Sequence, residues 1–247
     1  MTGAANARGA ESVLILALPN GRILGEVMPL LRRLGIAPEP SFDDQGSRQL
    51  RFTTSAPGLD LIRVRSFDVA TFVAFGAAQL GIAGNDVLME FDYSEIYAPL
   101  DLDVGHCRLA VAATTDGTAR KNVSRASHVR VATKYPEITR RHFAARGVQA
   151  ECIKLNGAVE LAPNLGLCRH IVDLVQTGAT LKANGLIEIE RIAEVSSRLI
   201  VNRPALKTRA SEVGDWIERF RQAIDRAPSP PLNQGGEEEG RANRRRG

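Results

Sequence analysis

Thr177, Gly178, Ala179 and Thr180 follow an apolar run, residues 171–175, that is broken only by Asp173. Such a run predicts a strand covered on both faces, and the helix-forming residues 181–184 behind the loop predict a helix start. A loop at that junction presents unpaired backbone N–H groups and the positive end of the helix dipole, which is the chemistry of phosphate binding. Gly178 lets the backbone approach a ligand closely, and the Thr177 and Thr180 hydroxyls add two donors. The same residues also fit a plain turn, with Thr177 capping the helix and Gly178 reversing the chain. On these four residues alone the two readings stand level. Asp173 adds a constraint: a carboxylate inside an apolar strand is expensive unless it is hydrogen-bonded or faces a ligand.

The flanking sequence supplies a scaffold for that loop. Strand patterns fall at residues 13–18, 59–64, 80–83, 107–113, 129–133, 150–155, 186–193 and 198–201. Helical spacing falls at 23–34, 67–74, 85–89, 138–145 and 213–224. Strands alternating with helices at this rhythm predict an α/β fold with largely parallel sheets. Stretches 98–106 and around Leu186 read as crossings between two units, so two α/β lobes are expected. The first would comprise residues 12–104 plus 186–226, and the second residues 105–185 with the loop. Residues 1–11 read as a flexible N-terminus. Residues 227–247, with an acidic triplet, a basic triplet and one large apolar residue, read as a disordered tail.

Composition narrows the function classes. With 247 residues, 44% hydrophobic and 24% charged, the chain has the make-up of a soluble globular protein. No apolar run approaches the roughly 20 residues that span a bilayer, and the first residues lack a signal-peptide core, so a cytoplasmic protein is expected. A net charge of +4 from scattered basic residues suits anionic ligands and does not require nucleic acid. Cys107, Cys152 and Cys168 are odd in number and widely spaced, which fits free thiols better than disulfides or a zinc site. His106, His128, His142 and His170 have no triad or metal spacing.

A longer pattern surrounds the loop. Glu160, Ala162 and Pro163 precede Gly166-Leu167, then the strand 171–175, then Thr177-Gly178 with Thr180-Leu181, then Asn184-Gly185-Leu186. This succession resembles the phosphoribosyl-pyrophosphate signature of the ATP phosphoribosyltransferase family. Residues 18–24, 61–65, 80–88, 105–109 and 131–136 are similar to further stretches of that family, so the resemblance covers roughly residues 13–224. It implies two lobes like those of periplasmic binding proteins, with the active site in the cleft between them. The reaction it implies joins N1 of ATP's adenine to ribose C1 of phosphoribosyl pyrophosphate and releases pyrophosphate, the first step of histidine biosynthesis. A competing expectation is a non-catalytic or degenerate two-lobe module that binds a phosphorylated small molecule.

The resemblance also assigns roles. Arg22 and Asp173 are the expected catalytic residues, Asp173 accepting from the ribose hydroxyls of the donor. Glu160 is a second acceptor or a ligand on the magnesium side, with Mg2+ carried mainly by substrate phosphates. Thr177, Gly178, Ala179 and Thr180 hold the phosphate. Arg63 and Arg65 alternate along the strand pattern, which places both on one face as a polyphosphate clamp. Asp86 is expected either to cap the helix at residue 85 or to contact ATP, capping being the simpler role. Asn20 stands where the family has lysine, which removes a cation, and Arg169 replaces an aspartate. Chain length resembles the short form of the family. That form implies a separate regulatory partner related to histidyl-tRNA synthetase in a hetero-octamer, and a homo-oligomer when alone.

Overall fold

The computed structural model describes residues 13–44, 46–115 and 127–225, and the N-terminal segment and tail expected above lie outside the described residues. Within them the chain builds two sheets. The first has the order β2 (Arg51–Thr53), β3 (Leu59–Val64), β1 (Leu14–Pro19), β4 (Leu80–Gly84), β11 (Ser197–Asn202), β5 (Ile96–Asp101), and the second β10 (Leu186–Val195), β6 (Cys107–Thr114), β9 (His170–Val175), β7 (His128–Thr133), β8 (Gln149–Lys154).

In the first lobe β1 (Leu14–Pro19) runs parallel to β3 (Leu59–Val64) and β4 (Leu80–Gly84). Leu16, Ala17 and Leu18 have no solvent exposure because helices cover both faces. α1 (Arg22–Arg33) buries Val27, Leu30 and Leu31 on one face, and α8 (Ala210–Asp225) buries Val213, Trp216 and Phe220 against the same core. α2 (Ser66–Ala74) covers the other face through Val69, Ala70 and Val73. α3 (Asn85–Phe91) follows β4 directly.

The second lobe contains β6 (Cys107–Thr114), β7 (His128–Thr133), α4 (Pro136–Ala144), β8 (Gln149–Lys154), the short α5 (Leu161–Asn164), β9 (His170–Val175) and α6 (Ala179–Ala183). Its core includes Val111, Val131, Phe143 and Val172.

Three expectations change. Pairing is mixed: β3 with β1, β1 with β4, β7 with β8 and β7 with β9 are parallel, while the other pairs are antiparallel. Next, β10 (Leu186–Val195) pairs along β6 and so belongs to the second lobe. The return crossing therefore falls at Ser196, not at Leu186, and only β11 (Ser197–Asn202), α7 (Arg203–Thr208) and α8 rejoin the first lobe. Finally, residues 96–101 form the edge strand β5 (Ile96–Asp101), so the outgoing crossing is confined to residues 102–106. A further short strand, β2 (Arg51–Thr53), forms the opposite edge.

The two crossings run side by side. Leu102 N–H donates to the Ser197 carbonyl at 2.9 Å, and Ser197 N–H donates to the Val104 carbonyl at 2.8 Å. The Asn85 side chain accepts from Ser196 N–H at 2.9 Å and donates to the Glu194 carbonyl at 3.1 Å. Gly105 adopts φ +74°, and a Cβ there would lie 2.6 Å from Ile23 Cδ1, so this crossing has room only for glycine.

Candidate active site

The C-terminal ends of parallel strands face the space between the lobes, where α/β folds place ligands. β1 ends at Pro19, and Gly21 takes φ 85°, ψ −147°, a conformation essentially restricted to glycine. That turn starts α1 so that Arg22 is its first residue and reaches the cleft. Arg22 pairs with Glu26 at 2.5 Å, and the other Glu26 oxygen accepts from Gly105 N–H at 2.8 Å. The guanidinium is thereby tied through one carboxylate to the inter-lobe crossing.

From the second lobe, β9 delivers Asp173 and the loop behind it. Gly178 is left-handed, φ 79° and ψ 0°, and forms the N-cap of α6. Thr177 Oγ1 accepts from Ala179 N–H at 3.3 Å, so the turn role is real, yet Thr177, Gly178 and Thr180 also border a cavity of about 390 Å³. Arg22, Glu160 and Asp173 border the same cavity. Gly178, not Thr177, is therefore the N-cap, and the loop both turns the chain and borders the cavity. Ala179 is exposed beside it.

Asp173 accepts a hydrogen bond from the backbone N–H of Leu174 at 2.8 Å. Burial pushes its carboxyl up to about 6, the Leu174 bond opposes that shift, and the Glu160 charge adds to it. A partly desolvated carboxylate beside a second carboxylate favours a hydroxyl donor or a cation as company. Among the described residues no cluster of three or more His, Cys, Asp or Glu side chains is arranged to hold a metal ion. Glu160 and Asp173 supply hard oxygens of the type that suits a magnesium ion delivered on phosphates.

A smaller cavity of about 100 Å³ adjoins the first, and Arg22, Cys107 and Leu174 border both. Its walls include Phe67, Asp86, Lys134 and Tyr135. Tyr135 Oη donates to Asp86 Oδ2 at 2.8 Å, joining the second lobe to the first. Burial raises the Asp86 carboxyl, and the Tyr135 bond opposes it; burial and the Asp86 charge together raise the Tyr135 hydroxyl. Next to this pair, both oxygens of Glu90 on α3 accept from the first N–H groups of α4, at Glu137 and Ile138, each at 3.0 Å. A carboxylate of one lobe therefore caps a helix of the other. Lys134 Nζ lies 4.2 Å from the Phe67 ring centroid. Burial raises the Cys107 thiol, with Asp86 adding to the shift and Arg22 opposing it. Ser197 Oγ, which borders this cavity, is buried with no hydrogen-bond partner in the structure.

Not every expected residue converges. β3 ends at Val64, so the alternation that would align Arg63 with Arg65 stops one residue short. Arg63 donates to the Phe42 carbonyl at 2.6 Å and lies over the Phe42 and Phe52 rings, while Arg65 is exposed at the N-cap position of α2. Neither borders the two cavities. Asp86 is not the N-cap of α3; Gly84 is, and Asp86 sits within the first turn, its carboxylate supported by the Val87 N–H. Arg169 immediately precedes β9, bordering a separate cavity with Arg130 and Gly166. Six strand residues, roughly 17 Å, separate it from the loop. Cys107, Lys134 and Tyr135 fall within stretches 105–109 and 131–136 that resemble the family, but the resemblance assigns them no role. A second clue for Lys134 and Tyr135 is their position immediately behind a strand end.

Residues 65–222 match the family model described as ATP phosphoribosyltransferase. The chain is 68% identical over 220 residues to an ATP phosphoribosyltransferase of Rhodospirillum rubrum, an alignment covering 89% of this chain and 97% of that one. The chain belongs to the ATP phosphoribosyltransferase family. Another member, from Paramagnetospirillum magneticum, is 71% identical over 213 residues, covering 86% of this chain and 97% of the relative. Both family members consist almost wholly of the aligned region, as the short form does. Among solved structures, the ATP phosphoribosyl transferase (HisG:HisZ) complex from Thermotoga maritima superposes with a TM-score of 0.73 at 30% identity, covering 87% of this chain and all of that one. The periplasmic aliphatic sulphonate binding protein from Escherichia coli, at 12% identity and a TM-score of 0.54, shares the two-lobe fold. No helix among the described residues is long and apolar enough to cross a membrane.

Proposed function

We propose that this chain transfers the phosphoribosyl group of phosphoribosyl pyrophosphate to N1 of ATP, giving phosphoribosyl-ATP and pyrophosphate, the first step of histidine biosynthesis. The observation that carries the reading is the convergence of Arg22, Glu160, Asp173 and the 177–180 loop on one cavity. The bond from ribose C1 to the pyrophosphate oxygen breaks, the bond from C1 to adenine N1 forms, and the electron pair leaves on pyrophosphate. Positive charge gathers on the ribose and negative charge on the leaving group, so fixed charges of both signs are what the step needs.

In this reading the loop backbone and the Thr177 and Thr180 hydroxyls hold the donor's phosphate. Asp173, ionised above about pH 6, accepts from the ribose hydroxyls and faces the positive charge that develops there. Glu160 is the second acceptor. Arg22, held by Glu26, stands on the opposite lobe to meet the leaving group. Bound Mg2+ would neutralise phosphate charge, with Glu160 and Asp173 as the protein oxygens within its reach. The partner is a regulatory subunit related to histidyl-tRNA synthetase, a reading supported by the similarity to an ATP phosphoribosyl transferase (HisG:HisZ) complex, and the compartment is the cytoplasm.

Incubation with ATP, phosphoribosyl pyrophosphate and magnesium, with and without that subunit, tests the reading. Pyrophosphate release matched by a change in adenine absorbance, rising when the subunit is added, is the expected result. Absence of turnover in both conditions, with intact binding of the donor, would reduce the chain to a binding module.

A further inference from the structure

The chain has twelve aromatic residues, and a group of them lies on the first lobe, reaching the cavity wall where Phe91 meets Phe67 at 5.6 Å. Phe91 stacks on Tyr93 at 5.5 Å, Tyr93 meets Phe75 edge-on at 6.2 Å, and Phe72 on α2 lies three residues before Phe75, the C-cap of that helix. Phe75 is 78% exposed, Phe72 39% and Phe91 36%. Large aromatic side chains gathered at a surface are the composition of a protein interface, not of a free one.

Charge decides what covers it. From Ser66 to Tyr97 there is no Lys, Arg or His, and the exposed charges are Asp68, Asp92 and Glu95, in a chain whose total is +4. Cations stand at the margins, with Arg65 exposed at the N-cap position of α2. Arg203 lies 5.9 Å from the Tyr97 ring centroid, Lys134 lies over Phe67, and Arg141 donates to the Met89 carbonyl. Two copies meeting through this face would set acidic rim against acidic rim, which costs affinity. Strand addition is also closed off, because Pro99 interrupts the donors of the edge strand β5.

We infer that the Phe72, Phe75, Phe91 and Tyr93 surface is where the regulatory subunit docks, through an apolar patch of its own rimmed by Lys and Arg. This rests on the proposed function, and it assigns that reading's partner to a surface. The surface is connected to the cleft: Phe91 is the last residue of α3, whose Asp86 and Glu90 hold Tyr135 and α4 of the second lobe. A partner seated on the aromatic group therefore presses on the helix that joins the lobes.

Phe75→Asp and Glu95→Arg test this, with sedimentation of each variant alone and with the regulatory subunit, and turnover in both states. Phe75→Asp is expected to weaken the mixed assembly more than about 30-fold, the scale of one interface anchor, while keeping the size and basal turnover of the chain alone. Glu95→Arg is expected to weaken assembly less, and added salt to weaken the unmodified assembly. Loss of self-association in Phe75→Asp, with mixed assembly retained, would overturn the inference in favour of a second copy. Unchanged mixed assembly in both variants would overturn it outright. If the unmodified chain turns over but never joins the subunit, the docking inference fails and the catalytic reading stands. If it joins the subunit but never turns over, the reverse holds.

Discussion

Asp173→Asn should stabilise the unliganded protein while stopping its chemistry. Burial raises the Asp173 carboxyl from 3.8 to about 6, so the folded chain holds this proton over a range where the unfolded chain has lost it. The corresponding stability is present below about pH 4 and is lost as pH rises through about 6. Full ionisation therefore costs the fold about 3 kcal/mol. Asparagine keeps the oxygen that accepts from Leu174 N–H and carries no charge, so the variant escapes that cost. At about pH 8 its melting temperature should rise by roughly 6–12 °C, on the usual 2–4 °C per kcal/mol for a chain of this size. At about pH 5 the gain should be about half as large, and near pH 3 it should vanish. Turnover should fall by about 100-fold or more, as when one preorganised electrostatic group is removed. Calorimetric melting curves of both proteins at the three pH values, paired with the pyrophosphate assay, measure both effects. A gain that is independent of pH, or a variant destabilised at about pH 8, would refute the assignment of Asp173 as a strained carboxylate waiting for its ligand.

Removing the Tyr135 hydroxyl by Tyr135→Phe strands the buried Asp86 carboxylate, and urea unfolding should show a loss of about 1–3 kcal/mol. Because the bond joins the lobes, KM should rise more than kcat falls. Gly84→Ala would place a Cβ 2.0 Å from Asp86 Oδ1, forcing that side chain out of its position; poor soluble yield or a sharply lower melting temperature is expected, and a normal melting curve would contradict the placement. Arg169→Ala, at the far end of β9 from the phosphate loop, should leave kcat/KM within about twofold, and a tenfold loss would mean that its charge reaches the cleft.

The loop was legible because its signals are local. An apolar run, a glycine that must turn left-handed and two hydroxyls lie within ten residues, and the structure places them as strand, N-cap and cavity wall. The helices with one clear apolar face, such as α1 with Val27, Leu30 and Leu31, were legible for the same reason. Edge strands were not. β2 is three residues long, and β5 contains Pro99, which argues against a strand unless the strand lies at an edge. The Arg63 and Arg65 pairing failed on a single residue, since period-two logic holds only while the strand continues. Asp86 and Tyr135 stand 49 positions apart on different lobes, and no spacing rule links them. The assignment of residues 186–195 failed similarly, because their partner strand β6 begins some eighty residues earlier and the apolar pattern is the same in either sheet.

The position of β11 also bears on how the protein is made. It lies between β4 and β5, pairing Leu199 with Ile82 and with Leu100, more than a hundred and about a hundred residues away in the chain. The second lobe is nearly continuous in sequence, from Cys107 to Val195, and can close while the ribosome is still translating the remainder of the chain. The first lobe cannot. Its N-terminal strands emerge first, yet their sheet has a gap until residues 197–202 arrive, and β4 waits with an open edge. The lobe that is synthesised first is therefore the one that finishes last, and any pause or chain break between the two crossings leaves a closed second lobe attached to an unsealed sheet.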